Sequence, residues 1–201
     1  MTTEAAFRHA TGLVRPPAGH GCPPVEIVSG LWTAHFHDVD TPEKLQAVSP
    51  GVRVVVNAGT DKCPLVDYGP GVDVVMIDGL LDDPDALKRV DAMSEGPEKD
   101  ASRATLPDFA PEECAGDAKR DFDRVNEIID ATRSAGGSTL IHCHASLSRS
   151  VVFILAYLVK TRGISAVEAV GIMKPKWDAC WPNKSFVKQL LAYEAELRSG
   201  D

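Results

Sequence analysis

An α/β (α+β) domain is predicted, with one central, mixed and mostly parallel sheet flanked by helices. Three observations carry this prediction. Short β-branched runs alternate with stretches of helical spacing. A compact buried strand at Ser138–Ile141 leads directly into a polar loop, and that loop ends at Val151–Val159, an uninterrupted apolar run. At 201 residues the chain is long enough to bury one core without staples, and no internal repeat divides it.

Residues 1–24 carry Arg15-Pro16-Pro17, Gly19 to Gly21 and Pro23-Pro24, and are expected to form a flexible arm that packs little. A single domain is expected over 25–201. Val25–Val28 and Leu31–Ala34 read as a hairpin turned at Ser29-Gly30. Thr41-Pro42 supplies an N-cap and a first-turn proline for a helix that ends at Pro50-Gly51. Val52–Val56 is a buried strand with Asn57-Ala58-Gly59-Thr60 as the loop at its C-terminal end, and Val72–Ile77 is a further strand.

That strand leads into Asp78-Gly79-Leu80-Leu81-Asp82-Asp83-Pro84-Asp85. By itself this is a solvated acidic turn, with Asp82 or Asp83 capping a helix near Pro84. From about 86 to 116 the periodicity is broken by Gly96-Pro97, Pro107 and Pro111, which predicts an insertion able to act as a lid or a regulatory segment. Phe122, Val125, Ile128, Ile129 and Thr132 space a helix that Gly136-Gly137 stops. Val151–Lys160 is apolar on every side and so predicts a helix through the middle of the domain. Ser165-Ala166-Val167-Glu168 is a capping box, and Phe186, Leu190, Tyr193 and Leu197 space the last helix.

Composition narrows the function classes. The net charge is −8, so the surface lacks the basic character that nucleic acid or an anionic membrane would require, and any anion site must be local. The longest apolar run is too short for a membrane span, and residues 1–24 lack the layout of a signal peptide. The five cysteines are scattered without a C-x-x-C pair for zinc or a thioredoxin-like centre, which points to reduced thiols in a cytoplasmic or nuclear setting, and no cofactor is expected. His142 and His144 flank Cys143, but neighbours at a strand end point in different directions and make a poor metal pair.

The chemistry concentrates in Ile141-His142-Cys143-His144-Ala145-Ser146-Leu147-Ser148-Arg149-Ser150. A loop ending at a helix N-terminus presents free backbone N–H groups and the positive end of the helix dipole to an anion. The same dipole, with a nearby arginine, favours the thiolate form of a cysteine. His144, Ala145, Ser146, Leu147 and Ser148 can curl so that their amides face inward as a nest, which Arg149 closes with a bidentate fork. An arginine at a helix N-terminus opposes the dipole and needs an anionic partner. Cys143 as nucleophile, Arg149 as phosphate clamp and Ser150 as hydrogen-bond donor to the departing sulfur make a set suited to phosphoryl transfer.

His142-Cys143-x5-Arg149-Ser150 resembles the signature of the cysteine-based protein tyrosine phosphatases. Ile27–Trp32, Val54–Asn57, Gly136-Gly137, Ala156-Tyr157-Leu158 and Pro182-Asn183-x-x-Phe186-x-x-Gln189-Leu190 are similar to the dual-specificity (VH1-like) branch, in a small atypical form. The resemblance covers about residues 25–198. It implies metal-free hydrolysis of phosphotyrosine, and of phosphoserine or phosphothreonine, in phosphoprotein or phosphopeptide substrates. It also implies an aspartate acid on an upstream loop, which the similarity of Leu81-Asp82-Asp83-Pro84-Asp85 places at Asp82, with Asp83 and then Asp78 as alternatives.

Two departures stand out. Ser146 occupies a position where the family usually has glycine, and Asp82 precedes Cys143 by 61 residues, further than is usual, so the acid loop is expected to be displaced or gated. The other readings are a phosphate-binding pseudophosphatase and a phosphatase of phospholipids or small molecules. The absence of lysine within the phosphate loop argues against a polyanionic head group.

Overall fold

The computed structural model describes residues 3–16, 22–80, 94–97 and 116–200. Five strands form one sheet in the order β1-β2-β5-β3-β4: β1 (Val25–Val28), β2 (Leu31–His35), β3 (Val52–Asn57), β4 (Asp73–Met76) and β5 (Ser138–Cys143). Only β1 and β2 are antiparallel; β2, β5, β3 and β4 run parallel. The predicted architecture is the one observed. β5 is central, and Cys143 at its end lies opposite His35 of β2, while Asn57 of β3 lies opposite His142.

A parallel sheet is covered on both faces, so its strands read as nearly continuous apolar runs. Alternation along β5 sends Leu140 to one face, with Val55, Ala34 and Leu45, and Ile141 to the other, with Val56 and Leu31. Leu45 belongs to α2 (Pro42–Val48), which starts at the Thr41 cap as predicted; the Thr41 side chain accepts the Lys44 N–H. On the opposite face, α3 (Phe122–Ser134) and α4 (Arg149–Arg162) pack on β5. α5 (Ala166–Met173) opens with the predicted capping box, and α6 (Lys184–Ser199) is capped by Asn183.

Val151 to Val159 of α4 are all buried, as the all-round apolar pattern requires, and Phe153 meets Phe122 of α3 edge to face at 5.5 Å. α4 begins two residues earlier than its apolar run, so Arg149 and Ser150 already belong to its first turn. No single described helix is long and apolar enough to cross a membrane.

The expectation of a flexible arm is corrected for residues 3–13. Thr3–Thr11 form α1, which packs against α5 and α6 with Phe7 3% exposed, and Leu13 beyond it is also buried in the core. Lys174 Nζ holds the Gly12 carbonyl at 2.7 Å, and Arg8 stacks its guanidinium 4.1 Å from the Trp181 ring while donating to the Pro182 carbonyl at 2.8 Å. The glycine and proline signal begins only at Gly12, so it masked a short amphipathic turn whose one aromatic residue finds a tertiary partner. The helix expected near Pro84 lies outside the described residues, as does most of the insertion at 86–116.

Replacing Phe7 with alanine should cost about 3 kcal/mol of unfolding free energy, the usual range for emptying a buried phenylalanine site. Denaturant melts of the full chain read this directly. An unchanged midpoint would return residues 3–13 to the status of a loose arm.

Candidate active site

Residues 144–148 leave β5, turn, and enter α4 within one compact loop, and neighbouring segments determine its shape. On the β3 side, Asn57 folds the following loop by accepting the Gly59 N–H and donating to the Cys63 carbonyl, each at 2.9 Å. Gly59 then lies against the nucleophile's backbone; a Cβ there would sit 3.0 Å from Cys143 Cα and from the His144 nitrogen. On the β2 side, the Phe36 N–H reaches the His144 carbonyl at 3.1 Å. From the segment between α5 and α6, the Trp177 indole N–H, the Trp181 N–H and the Asn183 N–H bond Ser146 O, Leu147 O and Ser148 Oγ, at 2.8, 2.7 and 2.9 Å. Three consecutive loop residues are thus held from outside.

Ser146 adopts φ +44°, the left-handed conformation that glycine takes more easily. Its side chain offsets the strain. Oγ accepts the buried Cys143 N–H at 3.2 Å and donates to the Ala34 carbonyl, so it ties the start of the loop to β2. A glycine would be conformationally easier but would leave that N–H without its acceptor.

Cys143 lies at the floor of a cavity of about 190 Å³ that it lines with His144, Ala145, Leu147, Ser148 and Arg149. Its sulfur is 3.6 Å from Ser150 Oγ. Arg149 is buried, and its Nη1 donates to Asp61 Oδ1 and, at 3.4 Å, to the Leu80 carbonyl. The free N–H groups of the first turn of α4 lie at the same end of the helix as the loop. The arrangement therefore offers a thiol, a buried guanidinium and helix-terminal amides around one small space, which suits a tetrahedral dianion.

The histidines divide as their strand-end positions predict. His142 is 1% exposed, stacked on Phe36 at 5.5 Å, and burial lowers its pKa from 6.5 to about 4. His144 is exposed at the mouth beside His37; partial burial and then the charge of His37 lower its pKa. Cys63 is buried, and burial followed by the neighbouring Cys143 pushes its thiol up to about 12, so it stays protonated. Among the described residues no group of three His, Cys, Asp or Glu gathers as a metal site.

The structure brings Cys143, Arg149, Ser150 and the loop residues 144–148 together. Asp82 and Asp83 lie outside the described residues, while Asp78 is exposed. The stems of the insertion meet: Gly116 packs against Gly79 so closely that an added Cβ would overlap the Gly79 carbonyl oxygen, and Arg120 reaches the Asp78 carbonyl at 3.4 Å. The long sequence separation therefore leaves and rejoins the sheet edge at one place, beside Leu80, whose carbonyl accepts from Arg149.

Sequence reasoning missed Asp61, Lys62 and Arg15. For Asp61 and Lys62 a signal existed, since they follow the loop at the C-terminal end of β3, and such strand ends collect ligand groups in parallel sheets. For Arg15 none existed, because its position depends on how α1 docks.

Residues 90–196, more than half of the chain, match the family "Dual specificity phosphatase, catalytic domain". Dual specificity protein phosphatase 5 of Homo sapiens is 38% identical over 81 residues, covering 40% of this chain and 21% of that protein. Dual specificity protein phosphatase 1 of Arabidopsis thaliana is 36% identical over 80 residues, covering 40% of each. The match thus spans less than half the length of these relatives. Among solved structures, human DUSP28 superposes with a TM-score of 0.64 at 22% identity, over 92% of this chain and 99% of that one. DUSP15 gives 0.60 at 18% identity, over 88% and 93%. These likenesses show the fold.

Two outcomes are expected. Ser146→Ala keeps the left-handed strain and loses both hydrogen bonds, so it should lower stability by about 2 kcal/mol, and by more than Ser146→Gly; denaturant melts of the three proteins give the order. His142 binds its proton less readily in the folded state, so the unfolded state binds more protons between pH 6.5 and about 4. Stability should fall as pH drops through that window, by about 3 kcal/mol at most, with a shallower fall in His142→Asn.

Proposed function

The chain belongs to the dual-specificity phosphatase catalytic-domain family, and on that premise we propose that it is a cysteine-dependent protein phosphatase acting on phosphotyrosine and on phosphoserine or phosphothreonine. The observation that carries this reading is the convergence of Cys143 Sγ, Ser150 Oγ and the buried Arg149 guanidinium on one loop at the N-terminus of α4. In this reading the Cys143 sulfur attacks phosphorus in line, forming an S–P bond as the P–O bond to the leaving group breaks. Arg149 and the loop amides hold the equatorial oxygens, where charge spreads in the transition state. Asp82 gives its proton to the leaving oxygen. It then takes one from the water that cleaves the cysteinyl-phosphate, and Ser150 donates to the departing sulfur.

Asp61 accepts from Arg149 and faces the guanidinium, so we assign it to orienting that side chain rather than to proton donation. The Leu80–Arg149 contact supports Asp82 as the acid, because the chain passes the phosphate clamp two residues before it. Asp83 and Asp78 are the alternatives. Both motives for a pseudophosphatase weaken: Ser146 is accommodated by its own hydrogen bonds, and the stems of the insertion meet beside the pocket. The described cysteines are all free, which supports a reducing, cytoplasmic or nuclear setting.

Metal-free kinetics on an aryl phosphate and on phosphotyrosine and phosphothreonine peptides test the proposal. Cys143→Ser should abolish turnover, and Asp82→Asn should reduce kcat by about 100-fold, most for the poorest leaving groups. Full hydrolysis by Cys143→Ser would refute the mechanism. An Asp82→Asn enzyme unchanged at every pH would move the acid to Asp83 or Asp78.

A further inference from the structure

Two basic side chains at the cavity have no part in the hydrolytic step. Arg15 and Lys62 line it beside Cys143 and Arg149, arriving from opposite parts of the chain, one from the segment after α1 and one from the loop after β3. Both are exposed, and neither is paired with a carboxylate among the described residues. Asp61, the carboxylate next to Lys62, is taken up by Arg149. Nor is Arg15 on a loose tether. Leu13, two residues before it, is buried in the core, and Lys174 holds the Gly12 carbonyl.

The charge balance makes this placement informative. The chain carries −8 overall, yet exposed cations gather at the mouth of the cavity that holds Cys143 and Arg149. His144, on the loop itself, has its pKa lowered first by partial burial and then by the charges of His37, Lys62 and Arg149. A long-range field that is negative and a mouth that is positive select for a ligand small enough to meet the mouth alone. An anionic bilayer would meet the whole negative surface; a peptide would not.

We propose that Arg15 and Lys62 form a second anion subsite, which selects phosphopeptides carrying a further carboxylate or phosphate beside the phosphorylated residue. The proposal rests on the phosphatase reading for the first site, Cys143 and Arg149, and adds to it the class of substrate.

Binding of Cys143→Ser protein to three phosphotyrosine peptides tests the subsite without needing turnover. The peptides differ only in the flank: neutral, two glutamates, or a second phosphate. Affinity for at least one anionic flank should exceed that for the neutral flank by about fivefold at low salt, and the margin should shrink as salt rises. Arg15→Gln/Lys62→Gln on the same background should bring the ratio close to one, and Arg15→Glu/Lys62→Glu should invert it in favour of a lysine flank. Whichever anionic flank loses its preference in the variants identifies the ligand. Equal affinity for all three peptides, a preference that survives both double variants, or tighter binding to phosphoinositide vesicles than to any peptide would overturn the subsite. Aryl phosphate turnover by the wild-type chain is measured separately. Its absence would count against the phosphatase reading and leave the affinity ratio to decide the subsite.

Discussion

The curl of residues 144–148 is the constraint on which the rest of the site depends. Within it Ser146 adopts φ +44°, a backbone conformation that costs energy in a residue other than glycine. The strain is held from three sides. Gly59 lets the β3 loop approach to contact distance, Ser146 Oγ binds both the Cys143 N–H and the Ala34 carbonyl, and the segment around Trp177 and Trp181 bonds the loop from outside. Loss of any one support would free part of the loop from the segments that hold it.

Rigidity behind the loop comes from the core. β5 is flanked by strands on both edges and covered on both faces, and α4 is buried from Arg149 through Val159. A strand and a helix with so little freedom hold the two ends of the loop in place, so the nucleophile and its clamp are positioned by packing rather than by the loop's own few residues. The insertion disturbs this little, because Gly79 and Gly116 bring its stems together at the sheet edge.

Charge is organised on two scales. The chain repels anions at a distance, while the pocket gathers Arg149, Arg15 and Lys62. Arg149 sits at a helix N-terminus, where the dipole disfavours it, and Asp61 supplies the counter-charge. A phosphate dianion would relieve the same imbalance more fully, since it can accept from the guanidinium and the amides together.

The sequence alone determined the fold class, the central strand, the buried helix after it, and the grouping of Cys143, Arg149 and Ser150. Each of these is local: apolar runs set burial, and six residues of spacing bring a cysteine and an arginine around one turn. Tertiary structure decided the remainder. Arg15 falls in a stretch whose glycines and prolines read as loose, and the docking of Phe7 against α5 and α6, with Leu13 buried after it, places that side chain at the cavity. Asp61 and Lys62 likewise gained their places from the pairing of β3 with β5, which brings Asp61 to Arg149 across 88 positions of sequence. Periodicity encodes which face of an element is buried; it carries no term for which distant loop will face it. That choice belongs to packing.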